Sequence, residues 1–125
     1  MTLGLSAKVF NQLALIEIKS VDSTGARAIV VRDYCNSIDV HSITIENMDP
    51  GWQCGYSTDE FKKGDKILAV LAGEGSKKHL SICYESFVNL SKEKITGLIS
   101  ASKDAKAREW TIAELESQLG IMIRD

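Results

Sequence analysis

Up to about residue 90 the apolar residues alternate with polar ones or gather in short runs, and Gly, Asp, Asn and Ser punctuate them. That pattern predicts short strands, whereas beyond residue 90 the spacing stretches to a helical period. The first predicted strand runs from Leu13 to Val21, with Leu15 and Glu17 on one face and Ala14, Ile16 and Ile18 on the other. Asp22-Ser23-Thr24-Gly25 supplies turn chemistry, and a second strand follows from Ala26 to Asp33, rich in β-branched Ile29, Val30 and Val31. After a loop at Tyr34-Cys35-Asn36-Ser37, a third strand is predicted from Ile38 to Glu46. Strict alternation there sets His41 on the same, interior face as Ile43 and Ile45.

A long connection from Asn47 to Lys66 contains Asp49-Pro50-Gly51 and a helix-entry signature, Ser57-Thr58-Asp59-Glu60, anchored by Phe61. Lys66 to Ala72 and His79 to Glu85 then read as two strands of a hairpin around Gly73-Glu74-Gly75. The tail predicts two helices. Ser91 caps the first, with Ile95, Leu98 and Ile99 on one face despite Gly97. For the second, Thr111 and Glu114 have capping-box spacing, and Trp110 with Leu115 forms a hydrophobic staple. Its stripe of Ile112, Leu115, Leu119 and Met122 must cover either the molecule's own wall or a partner. The expected organisation is therefore a β barrel over residues 1–90 and a helical extension over 91–125.

Composition narrows the function classes. The 125 residues are 44% hydrophobic and 26% charged, ordinary values for one globular domain. Fifteen Lys+Arg against seventeen Asp+Glu leave a formal charge of −2, which excludes a protein that coats DNA through a large positive excess. No apolar run approaches the roughly 18 residues of a membrane helix, and Met1 to Lys8 shows neither the basic start nor the apolar core of a secretory signal. Cys35, Cys54 and Cys83 are scattered, as are His41 and His79, without the clustered spacing of a zinc site. The expectation is a soluble cytoplasmic domain with reduced cysteines and no metal or other cofactor.

Five short strands with a long connection after the third predict a five-stranded OB-type barrel. Within that frame, Phe61-Lys62-Lys63-Gly64-Asp65-Lys66-Ile67-Leu68-Ala69-Val70-Leu71 resembles the fourth-strand entry of an S1 RNA-binding domain. Lys77-Lys78-His79-Leu80-Ser81-Ile82 is similar to that family's closing strand, Gly25-Ala26 to its Gly-Ala opening of strand two, and Val40-His41-Ser42 to its strand-three segment. The resemblance spans roughly residues 12–85. It implies single-stranded nucleic-acid binding, RNA above DNA, on the strand-two and strand-three face. Where the family sets stacking aromatics beside Gly-Ala, this chain has Thr24 and Arg27. Arg27 can stack through its guanidinium plane or contact a phosphate.

Mapped on that face and its loops, the candidate nucleic-acid residues are Arg27, Arg32, His41, Trp52, Lys77 and Lys78, with Lys62, Lys63 and Lys66 clustered at the fourth-strand entry. A different class of function, docking to a protein of a nucleic-acid-processing complex, would use Ile29, Val31, Tyr56, Leu115 and Leu119. No P-loop, GxGxxG, GxSxG or HExxH is present, so a non-catalytic module is expected.

Overall fold

Period-two alternation sets two different apolar groups on the two sides of one sheet. A computed structural model describes residues 12–47, 61–80, 87–97 and 108–123. The strands are β1 (Leu13–Asp22), β2 (Gly25–Asp33), β3 (Ser42–Glu46), β4 (Lys66–Ala72), β5 (Lys77–Leu80), β6 (Phe87–Asn89), β7 (Ile95–Gly97) and β8 (Arg108–Trp110), and helix α1 (Ile112–Leu119) follows. The first five close in the order β1-β2-β3-β5-β4, with β4 returning to β1. All of these pairings are antiparallel except β3 with β5. This is a closed five-stranded barrel of the OB type, as the alternation predicted.

The barrel interior is built from inward residues of every strand: Ala14, Ile16 and Ile18, then Ala26 and Ala28, Ile43 and Ile45, Ile67, Ala69 and Leu71, and Leu80. Phe61 packs into this core and meets Phe87 edge-on at 5.3 Å, so this aromatic of the long connection folds back onto the barrel. Glycine is required at residue 25. A Cβ there would stand 2.1 Å from the Ile45 carbonyl oxygen, so β2 and β3 approach too closely for any side chain.

A second core lies outside the barrel. Leu13 of β1, Leu68 and Val70 of β4 and Val88 of β6 face away from the interior and are covered by Ile95, Trp110, Leu115 and Ile123. The Thr111 hydroxyl accepts the Glu114 N–H while the Glu114 carboxylate accepts the Thr111 N–H, completing the predicted capping box. Trp110 and Leu115 are both buried beside it, as a staple requires. Gly120, in the left-handed region at φ 67°, ends the helix by donating its N–H to the Glu116 carbonyl.

Several expectations are corrected. Ile95 to Gly97 is not helical; it pairs with Arg108–Trp110 as a two-stranded ribbon, leaving one helix among the described residues. The local reason is legible: Ile95 and Thr96 are β-branched, Gly97 is a poor helix former, and the Ser91 hydroxyl accepts the Lys66 N–H instead of capping a helix. Leu98 and Ile99 lie outside the described residues. The third strand starts at Ser42, not Ile38. Val40 packs on the core, while both His41 and Ser42 are exposed, so the pleat is reset there and His41 points outward. Leu115 and Leu119 pack against their own molecule, which removes the helix stripe as a partner surface. Met122 leaves the stripe because the helix has already ended, and Ile123 takes the buried place.

Because Leu115 is fully buried in the outer core, Leu115→Ala should cost about 2–5 kcal/mol of stability, measured by denaturant unfolding. A cost below about 0.5 kcal/mol, the range of an ordinary surface change, would mean that the helix does not pack on the barrel.

Candidate functional site

The outer core covers only part of the barrel. Its packing residues sit on the outer sides of β1, β4 and β6, reaching the far end of β2 at Tyr34 and Cys35. The outward sides of β2, β3 and β5 carry residues of a different kind. Strand register aligns Ser20 with Arg27, Arg27 with Thr44, and Thr44 with Lys77, a continuous row across four strands. The neighbouring row runs Lys66, Glu17, Ile29, Ser42. Ser20, Arg27, Ser42 and Lys77 are exposed and Thr44 and Ile29 half-buried, so this wall presents the hydroxyls of Ser20, Ser42 and Thr44 beside two cations, with Thr44 between them.

The β1–β2 turn fixes the first cation. Thr24 donates its N–H and its hydroxyl to Asp22 Oδ1 at 2.8 and 2.6 Å, and Arg27 Nη1 donates to Asp22 Oδ2 at 2.5 Å. These donors, the Thr24 hydroxyl first and the guanidinium second, hold the Asp22 carboxyl well below the usual carboxylate range. The Arg27 guanidinium is thereby oriented and its charge offset. Glu17 is likewise paired with Lys19, whose hydrogen bond and charge lower the Glu17 pKa. Lys77 has no carboxylate partner among the described residues, so the uncompensated charge of the row sits on β5.

The structure thus brings together two of the sequence-predicted nucleic-acid residues, Arg27 and Lys77. His41 is exposed just ahead of the Ile29–Ser42 pair. Arg32 turns to the C-terminal segment, donating from Nη1 to the Met122 carbonyl at 2.6 Å, and Tyr34 donates its hydroxyl to the same oxygen at 2.9 Å. Lys78 leaves the row altogether. It is 3% exposed, and its ammonium donates to Gln12 Oε1 at 2.8 Å and the Gly73 carbonyl at 2.7 Å. In a strand, successive residues face opposite sides, so Lys77 and Lys78 cannot share a surface. Trp52 and Tyr56 lie outside the described residues.

Of the residues proposed for protein docking, Ile29 is half-buried within the wall and Val31 is 44% exposed. Val31 is the extra residue of a bulge, since Leu15 pairs with Arg32 while Ile16 pairs with Val30. Thr44, Ser20 and Asp22 are the wall residues that sequence reasoning missed. Their roles depend on cross-strand register, for which only the Asp22–Gly25 turn gave a local signal.

Among the described residues no helix is long and apolar enough to cross a membrane. No known family model, curated protein or solved structure matches the chain.

The hydrogen bonds on Asp22 have a direct acid-range consequence. A depressed folded-state pKa means that the turn's stabilisation persists above the ordinary carboxylate range and is lost only as the pH falls through the lower, folded-state value. Carboxyl NMR should therefore find Asp22 still ionised near pH 3, where unperturbed carboxylates are already mostly protonated. A midpoint at or above about 3.9, the unperturbed Asp value, would show that Asp22 does not hold Arg27 in solution.

Proposed function

We propose that this protein is a non-catalytic binding module whose β2–β3–β5 wall takes single-stranded nucleic acid, RNA above DNA, along its backbone and without strong sequence choice. The observation that carries this reading is the Ser20–Arg27–Thr44–Lys77 row, lying on the wall that the outer core does not cover. An oriented guanidinium, hydroxyls and a free ammonium are the kinds of donor from which phosphate oxygens accept. The described part of the row supplies no aromatic platform, so it lacks the stacking contribution of about 1–3 kcal/mol per base that tighter single-strand binders use. Weak, salt-sensitive association follows from that balance.

A second reading, docking of a protein from a nucleic-acid-processing complex, is favoured by one observation. The two exposed large hydrophobics of the described residues, Val31 at 44% and Met122 at 67%, lie along the same seam, where Arg32 and Tyr34 hold the Met122 carbonyl.

Salt dependence separates the two. With two phosphate contacts, the logarithm of the affinity for a single-stranded oligonucleotide should fall with the logarithm of salt at a slope of about −1.4. Arg27→Ala with Lys77→Ala should flatten that slope to near zero, while Val31→Asp leaves it unchanged. Absence of binding at low salt, or a slope indifferent to the double variant, would overturn the nucleic-acid reading and leave the seam as the candidate surface.

A further inference from the structure

At one mouth of the barrel a cleft of about 610 Å³ opens between the β2–β3 connection and the β4–β5 turn. Asn36, Ser37, Ile38 and Asp39 line one side, Gly73, Glu74 and Gly75 the other, and Gln12 and Lys78 also face it. The volume falls in the range of roughly 300–1,000 Å³ typical of small-molecule sites.

Lys78 is the unusual member. By register it shares the inward side of the sheet with Ile45, and at 3% exposure its ammonium has left bulk water. A buried charge is costly unless it is paired and its hydrogen-bonding capacity is satisfied. Both acceptors here are neutral oxygens, Gln12 Oε1 and the Gly73 carbonyl. Gln12 also donates from Nε2 to the Gly73 carbonyl at 3.2 Å, closing a three-membered clasp around the ammonium. An ammonium has three donors, so two accepted bonds leave one N–H for another acceptor. No described carboxylate forms an ion pair with Lys78.

The cleft nevertheless contains carboxylates. Asp39 and Glu74 line it from exposed positions, and neither makes an ion pair or hydrogen bond with a described side chain. Among the described residues, the cleft therefore has separated charges that make no ion pair: one cation buried within it and two anions at its rim. A plain polyanion such as a nucleic-acid strand would meet the rim carboxylates first and be repelled. The complementary ligand has an anionic end reaching inward and a cationic end left outside.

We propose that this cleft binds a small zwitterion, its carboxylate or phosphate head accepting from the Lys78 ammonium and its amine facing Asp39 and Glu74. This site is independent of the outer wall: adjacent residues serve the two, Lys77 outward and Lys78 inward.

The test is an amide NMR titration of the full chain with four probes. Phosphoethanolamine and γ-aminobutyrate carry a head and an amine; inorganic phosphate and acetate carry a head alone. The two zwitterions should shift the amides of Asn36 to Asp39, Gly73 to Gly75 and Lys78, and the better of them identifies the head. Each should bind about two- to fivefold more tightly than its amine-free counterpart, the gain of an exposed ion pair. Lys78→Met, which keeps the length of the stem and removes the charge, should abolish the shifts. Asp39→Asn with Glu74→Gln leaves the clasp intact and should erase the advantage of the amine. Failure of both zwitterions to shift these amides in the native chain would overturn the proposal, as would shifts that survive Lys78→Met. Should Lys78→Met not fold, the rim variant decides: an undiminished amine advantage there sinks the zwitterion assignment.

Discussion

The structure depends on β4 being apolar on both faces. Ile67, Ala69 and Leu71 fill the barrel, while Leu68 and Val70 face the other way and are just as buried. Each large aliphatic side chain removed from water contributes about 1.5–3 kcal/mol, so this outer side cannot be left wet without giving up much of a small domain's stability. Neighbouring Leu13 and Val88 extend the same outer surface. A chain with such a wall has to return and cover it, which it does with the β7–β8 ribbon, α1 and Ile123. The requirement is local to β1, β4 and β6. On β2, β3 and β5 the outward residues include Arg27, Ser42, Thr44 and Lys77, which water already satisfies. The open wall is thus the counterpart of the covered one, and the distribution of apolar residues decides which is which.

The charges on the open wall explain how a chain of net charge −2 can present a donor surface at all. Its acids are placed where they orient cations. Asp22 lies at the end of β1 and holds the Arg27 guanidinium beside the β1–β2 turn, and Glu17 pairs with Lys19 two residues further along the chain. Exposed ion pairs of this sort stabilise the fold only slightly. Their effect is directional: they restrict a long side chain to one region of the surface and lower the entropy lost when a ligand engages it. The cost is attraction, because a guanidinium already facing a carboxylate gains less from a phosphate. A surface built this way favours alignment over strength.

The barrel was legible because it rests on period-two patterning and turn chemistry. β4 matched its predicted limits, β1 and β2 did so to within a residue, and the Thr111–Glu114 cap was written in the spacing of two side chains. Legibility failed where local pattern and tertiary demand diverge. Ile95 suits a helix face as well as a strand, and pairing with Trp110 decided for the strand. His41 occupies an alternating position, yet the reset ahead of Ser42 turned it outward, a feature that no pairwise pattern encodes. Arg32 lies five residues from Arg27, so strict alternation would turn it to the opposite face, but the bulge at Val31 sets it beside Leu15 on the outer side, where it reaches the C-terminal segment. Site residues were harder to read than elements for one reason. Whether Arg27 meets Thr44 and Lys77 is a matter of register between strands distant in sequence.

Lys77 and Lys78 carry this lesson to its limit. As a dipeptide they look like one basic patch, and solvated surface lysines are the ordinary case. The pleat separates them onto opposite sides of β5, and the β3–β5 register sets the first beside Thr44 and the second beside Ile45. An outward lysine needs no further account. An inward one does, because apolar side chains of similar volume often replace buried ions with no loss of stability, and a methionine has the same unbranched reach. Stability alone therefore does not explain a lysine at residue 78. Its clasp with Gln12 and Gly73 does tie the head of β1 to the β4–β5 turn, but a neutral donor would serve that purpose without the desolvation penalty. What an ammonium adds over any neutral donor is charge, and charge held inside a cleft acts on whatever enters it.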